Sequence, residues 1–158
     1  MITFTPIGTI HSPFTDPAGM PIQPAGAKGV KGTVSIDEKY REGLRDIEGF
    51  SRIILIYAFH RANGYLLEVV PFLDTESHGI FATRAPKRPN AIGISVVRLI
   101  AVDDCELTIE DVDILDGTPL LDIKPYVPEF DCFPDEKAGW FDRCCGKVGT
   151  ARSDQRFF

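Results

Sequence analysis

The chain has 158 residues, 44% of them hydrophobic and 25% charged, with a formal net charge of −6. These are the proportions of one folded domain with a sizeable core, and the acidic balance argues against broad, non-specific binding to nucleic acid while leaving room for one basic face. The first residues, MITFTPIGTI, lack a basic leader followed by a long apolar core, so no signal peptide is expected, and the longest apolar run, IILIYAF, is far too short to span a bilayer. A cytoplasmic protein with no membrane partner is the expectation.

Taken in chain order, TFTPIGTI opens with β-branched alternation, and Pro6 marks it as an edge or irregular strand. Residues 11–32 hold four prolines and four glycines and read as a long loop, a kind of segment that is either functional or mobile. GTVSI is a second strand. In DEKYREGLRDIEGF, Tyr40, Leu44 and Ile47 share a face at spacings of four and three, which predicts a helix capped by Asp37 and ended by Gly49. SRIILIYAFH is apolar in both phases and predicts a central strand buried on both sides. ANGYLLEVVPFL fits a short helical turn or a hairpin equally well. AIGISVVRLIAV and ELTIEDVDIL are further strands, the second with a phase slip that predicts a bulge near Asp111. Asp116-Gly117-Thr118-Pro119 is a turn, and DIKPY after it is extended. Beyond Tyr126 the pattern is irregular, with a short helix near Trp140. Strands and helices do not alternate, so the expected fold is mainly β: a single-domain antiparallel β-barrel-like fold with one or two short helices, formed by residues 1–131, with residues 132–158 as an irregular tail packed on or extending from it.

Several classes of chemistry find no support. There is no G-x-G-x-x-G, no P-loop and no nucleophile elbow. The four cysteines, Cys105, Cys132, Cys144 and Cys145, are not spaced as C-x-x-C and read as free thiols rather than metal ligands. The aspartates 111, 113, 116 and 122 lack a full calcium-loop pattern, so no metal is expected.

Four stretches stand out instead. In FATRAPKRPNAIGIS an acidic protein crowds Arg84, Lys87 and Arg88 into five residues, stiffened by Pro86 and Pro89, just before an apolar strand, as suits a loop facing an anionic or nucleotide-like ligand; a solvated surface turn is the plainer alternative. His60 and Arg61 emerge at the end of the apolar strand, as ligand contacts or as a simple strand end. Pro24-Ala25-Gly26 is small enough for close backbone approach to a ligand, or merely flexible. Asp122, Lys124 and Tyr126 share one face of an extended segment and read as an ion-paired edge or a catalytic patch.

The motifs IGTIHSPF, GLRDIEGFSRIILIYAFH, GIFATRAPKRPNAIGISVVRL and DVDILDGTPLLDIKPYVP, in that order, resemble the TsaA-like family across residues 4–131. That resemblance implies a β-barrel, homodimeric, S-adenosylmethionine-dependent methyltransferase that modifies N6 of a threonylcarbamoylated adenosine beside the tRNA anticodon. It implies cofactor contacts at Pro24, Ala25, Gly26, His60, Arg61, Arg84, Ile94, Leu115, Asp116, Gly117 and Thr118. Lys87 and Arg88 are then candidates for tRNA phosphate, and Asp122 and Tyr126 for removing the proton from the acceptor nitrogen. The family pattern usually has proline after the RPN asparagine, where this chain has Ala91, and longer relatives carry a further C-terminal domain. A regulatory module that binds S-adenosylmethionine without catalysis, or a methyltransferase for another small or RNA substrate, is the alternative.

Overall fold

The computed structural model describes residues 1–144, 152–154 and 156–157. Their strands are β1 (Gly8–His11), β2 (Lys31–Ile36), β3 (Arg52–Ala58), β4 (Glu68–Val69), β5 (His78–Gly79), β6 (Ile92–Asp103), β7 (Glu106–Glu110) and β8 (Thr118–Pro125). Six of these close into an antiparallel barrel in the order β1-β2-β7-β6-β3-β8, with β8 pairing back onto β1; β4 and β5 pair with each other outside it.

Closure of the barrel explains the apolar alternation. Ile10, Val34, Ile53, Leu55, Val97, Leu107, Ile109 and Leu120 are completely buried and fill its interior, each contributing roughly 1.5–3 kcal/mol of burial free energy. In β3 the inward residues Ile53, Leu55 and Tyr57 are buried, whereas Ile54, Ile56 and Ala58 are only half-buried. The expectation of a strand buried on both sides is therefore corrected: one face meets the core, and loops cover the other only in part.

Three other local expectations change. The segment after β2 is not an α-helix but two 3-10 turns, Glu38–Leu44 and Ile47–Gly49, and Asp37 makes no side-chain cap. Asp46 adopts a left-handed conformation (φ 71°) between them, which interrupts any continuous helix. The apolar face survives this change, since Leu44 is buried and Tyr40 and Ile47 pack against the core. β1 starts only at Gly8. β7 ends at Glu110 rather than bulging near Asp111: Asp111 turns left-handed (φ 67°), and the true register shifts lie between Leu99 and Ala101 and between Ile56 and Tyr57. The buried Asp111 carboxylate accepts from Gly29 N (2.9 Å) and from Arg52 Nη2 (3.3 Å), so it ties the long first loop to β3.

The undecided 62–73 stretch supplies β4. Over β4 and β5 lies the described part of the C-terminal segment. Trp140 Nε1 donates to Ala82 O (2.7 Å), its indole stacks on His78 (4.6 Å between centroids), and the buried Cys144 thiol donates to Leu73 O (3.1 Å). Phe157 joins Val69, Ile80 and Ala85 in a second small core. Cys105, Cys132 and Cys144 are free thiols, while Cys145 and Lys147 lie outside the described residues.

Candidate active site

One end of the barrel carries a pocket. β3 runs out into it through Tyr57, Phe59, His60 and Arg61, and β8 begins there at Thr118. The long first loop adds Met20 and Gln23, the basic loop Arg84, the outer face of β6 Ile94, and the crossing from β7 to β8 Asp113 and Leu115. The C-terminal segment completes the wall with Trp140, Phe141 and Phe157.

The cationic side is well defined. The Arg84 guanidinium is exposed and donates through Nη1 to Gln23 Oε1 (3.0 Å), which fixes the basic loop against the first loop. Arg61 Nη1 reaches Thr15 O at 3.4 Å. Thr118 Oγ1 donates to Leu115 O (2.6 Å) and lies 3.4 Å from His60 Nδ1. Desolvation, with the Arg61 charge beside it, holds the His60 imidazole below its ordinary pKa, so the ring is neutral at pH 7.

Below this rim is a buried polar chain. Ser95 Oγ donates to Asp113 Oδ1 at 2.6 Å and lies 2.9 Å from Tyr57 Oη. A serine hydroxyl has one proton, so with Ser95 donating to Asp113 it accepts from Tyr57. Burial pushes the Tyr57 phenol far up, which keeps that donor protonated. Burial is also the main reason the Asp113 carboxyl rises to about 6, opposed by the Ser95 hydrogen bond and the nearby Arg84 charge. Asp113 is half-buried, with contact to solvent remaining along the pocket it lines.

Of the residues singled out from sequence, the structure brings His60, Arg61, Arg84, Ile94, Leu115 and Thr118 to this pocket. Pro24, Ala25 and Gly26 form a 3-10 turn that begins directly after the lining residue Gln23. Asp116 and Gly117 stand behind the wall: the Asp116 carboxylate accepts from Ser12 N (3.1 Å) and faces His11 Nδ1 (3.4 Å), and Gly117 takes φ 77° in the turn. Arg88 braces the loop from within, its Nη1 donating to Ile80 O, Thr83 O and Ala85 O (3.1, 2.8 and 3.3 Å); Lys87 beside it is half-buried.

Asp122 and Tyr126 are not brought to the pocket. The register shift in β8 puts Leu120 opposite the inward Tyr57 but Asp122 opposite the outward Ile56, and Asp122 pairs there with Lys124 Nζ (2.9 Å). Tyr126 N bonds Arg52 O at the start of β3, about 20 Å of strand from the pocket end at a rise near 3.3 Å per residue. The ion-paired edge is thus the arrangement the structure displays. The four aspartates do not converge either, since Asp111, Asp113, Asp116 and Asp122 each have different partners.

Sequence reasoning missed Gln23, Tyr57, Ser95 and the tail aromatics, and weighed Asp113 only as a metal ligand. One signal was present: in AIGISVVRL, Ser95 falls in phase with the inward Val97, a hydroxyl at a core position that demands a partner.

A closed β-barrel whose mouth joins two arginines, a neutral histidine and a deep carboxyl to an apolar wall defines a small-ligand site for a molecule with one anionic and one flat apolar part. The chain belongs to the tRNA-methyltransferase O N-terminal domain family, whose model matches residues 9–132. It is 58% identical over all 158 residues to a probable S-adenosyl-L-methionine-binding protein of Pyrococcus abyssi, covering 86% of that protein. It is 35% identical over 147 residues to the tRNA (adenine(37)-N6)-methyltransferase of Escherichia coli, covering 87% of this chain and 63% of that one. The crystal structure of TrmO from Pseudomonas aeruginosa superposes with a TM-score of 0.75 at 38% identity, over 89% of this chain and 62% of the other. The chain thus spans less than two thirds of the last two relatives.

Proposed function

We propose that this protein is an S-adenosylmethionine-dependent tRNA methyltransferase that modifies N6 of the adenosine beside the anticodon, in its threonylcarbamoylated form. The observation that carries the reading is the meeting of Arg61, Arg84 and an apolar wall at one barrel mouth, in a family with a relative named for this reaction. The residues fit the cofactor: a guanidinium suits the methionine carboxylate, Phe59, Ile94 and Leu115 suit the adenine and methylene groups, and the 3-10 turn Pro24–Ala27 follows directly on the lining residue Gln23. When bound, S-adenosylmethionine supplies a methyl group on a positively charged sulfur, ready for in-line displacement. The protein's part is to hold the acceptor nitrogen in line and exclude water. Lys87, half-buried beside Arg88, and secondarily Arg88, are the tRNA phosphate contacts in this reading.

The protein acts in the cytoplasm as a homodimer. Supporting the dimer are exposed Leu66, Leu67 and Phe81, on neighbouring segments tied by Ile80 N to Leu67 O (2.9 Å) and Leu66 N to Lys87 O (3.2 Å). No helix among the described residues is long and apolar enough to cross a membrane. A second reading, a binding module without catalysis, is favoured by the Pyrococcus relative, which is named as a binding protein.

The test is calorimetric titration of the protein and of Arg84→Ala with S-adenosylmethionine, followed by methyl transfer to tRNA from a strain lacking the N6-methylating enzyme. Saturable binding weakened in the variant, with methylation of that tRNA, is expected. Binding without methylation leaves the binding-module reading.

A further inference from the structure

The acceptor nitrogen must lose a proton as it gains a methyl group, and neither Asp122 nor Tyr126 reaches the pocket. Asp113 does. Its loop, between β7 and β8, leads directly into Leu115 and Thr118, so the carboxyl lies among the other pocket residues rather than on the barrel's outer face. Ser95 holds Oδ1 from β6 at 2.6 Å, and Tyr57 holds Ser95 from β3 at 2.9 Å. This is a carboxylate aimed by a fixed relay of donors, as a general base requires, and among the described residues no ion pair consumes it.

We infer that Asp113 is the catalytic proton acceptor of this site, with Ser95 and Tyr57 as positioning residues that orient its carboxylate. The inference rests on the methyltransferase reading above. In the step, the N6 lone pair forms the new N–C bond while the S–CH3 bond breaks and its electron pair stays on sulfur; the N6 proton passes to Asp113, and from there to solvent. Charge balances, because the positive charge lost from sulfur leaves as that proton. The charged and titratable groups facing Asp113 are Arg84 from the basic loop, Tyr57 and then His60 and Arg61 from the end of β3, and no other acid lines the pocket among the described residues.

The site's ionisation agrees with the role. A carboxyl raised to about 6 is a stronger base than an ordinary aspartate, yet is largely ionised at neutral pH. Tyr57 cannot compete for the task, since burial locks its proton in place.

The experiment compares the full-length protein with Asp113→Asn and Ser95→Ala in three measurements: S-adenosylmethionine affinity by calorimetry, the pH profile of kcat on the hypomethylated tRNA, and a carbon-13 carboxyl titration of Asp113. Asp113→Asn is expected to bind the cofactor within about 3-fold of wild type and to lose at least about 100-fold in kcat, the usual range for a removed general base. The wild-type kcat should rise to a plateau with a midpoint near the Asp113 titration, and both midpoints should move up together in Ser95→Ala, because that hydrogen bond favours the charged carboxylate. Asp113→Asn that turns over normally, or that loses cofactor affinity in step with its loss of rate, overturns the assignment; in the second case Asp113 is a cofactor ligand. A wild-type protein that binds S-adenosylmethionine and methylates no tRNA overturns the methyltransferase reading itself, and this assignment with it.

Discussion

Gly93 is opposite Tyr57 in the β3–β6 ladder, and it has no side chain because the Tyr57 ring occupies the space one would need. A Cβ built on Gly93 would fall inside contact distance of Tyr57 Cε2 and Cζ and 2.9 Å from Phe59 Cζ. The two rings meet edge-on, 5.6 Å between centroids, so neither can simply swing away. Gly93→Ala is therefore expected to overpack the barrel mouth, costing about 1–3 kcal/mol. Because the displaced ring carries the hydroxyl bonded to Ser95, the variant should also lose activity beyond its loss of stability. Denaturant melts together with kcat on tRNA check this; an unaltered melt would show that the rings have room to move.

Asp113 makes the wild type less stable at neutral pH than an uncharged isostere would be. Its pKa is about 6 in the folded protein against an ordinary 3.8, so between those values the folded state holds the proton more tightly than the unfolded chain. The associated stability is fully present below about pH 4 and is lost as pH rises through 6, amounting to at most about 3 kcal/mol because the carboxyl keeps some solvent contact. The expectation is that Asp113→Asn gains thermal stability relative to wild type as pH is raised from 4 to 7.5, while turnover is lost. A carboxyl whose folded-state pKa lay below the ordinary value would show the reverse trend with pH, and melting curves at four or five pH values decide between them.

What could be read in advance follows from range along the chain. β3 and β6 announced themselves because an apolar run is a local property, and barrel closure then buried the phase holding Ile53, Leu55 and Val97. The segment 38–49 misled because its apolar spacing of four and three is compatible with both an α-helix and successive 3-10 turns; Asp46 in the left-handed region decides, and its preference is weak in sequence. The pocket was half legible. His60, Arg61 and Arg84 are conspicuous as charges beside apolar strands, whereas Tyr57, Ser95 and Asp113 meet only when β3, β6 and the β7–β8 crossing are brought together. The phase of β8 beyond Leu120 was not legible at all, because the shift that turns Asp122 outward belongs to its pairing with β3.

Asp111 gives a test of the fold apart from the chemistry. Its buried carboxylate satisfies Gly29 N and pairs with Arg52, and its backbone is left-handed. Asp111→Asn keeps an acceptor oxygen and a residue tolerant of that conformation, so it should cost about 1 kcal/mol or less. Asp111→Ala strands the Gly29 amide and the Arg52 charge and strains the backbone, for a cost of about 2–4 kcal/mol. Two coincident melts would show that neither the carboxylate contacts nor the left-handed backbone of Asp111 matters to the fold.

The basic loop divides its charges between fold and partner. Arg88 spends Nη1 on three carbonyls, so Arg88→Ala should destabilise the loop and weaken cofactor and tRNA binding together. Lys87→Ala should leave the melt and cofactor affinity unchanged, weaken tRNA binding, and lower the slope of log K against log salt by about 0.7–0.9 if one phosphate contact is lost. An unchanged salt slope would remove Lys87 from the RNA interface.

Trp140 is the single tryptophan of the chain and a wall of the pocket, so intrinsic emission reports on this site alone. Its indole donates from Nε1 to Ala82 O and stacks with His78 and with Phe141, 4.6 and 3.9 Å between ring centroids. A ligand entering beside Arg84 and Phe59 changes the surroundings of that indole, which should shift its emission and change its intensity saturably. The midpoint should coincide with the calorimetric one for S-adenosylmethionine, and Trp140→Phe should be silent yet still bind. The physical content lies in where Trp140 resides: it falls after residue 132, beyond the stretch the family model matches, and yet it faces the same cavity as His60 and Thr118. A ligand-dependent signal would make the C-terminal segment part of the binding site, whereas emission indifferent to saturating ligand would place the bound molecule on the opposite side of the mouth, against β6 and the first loop.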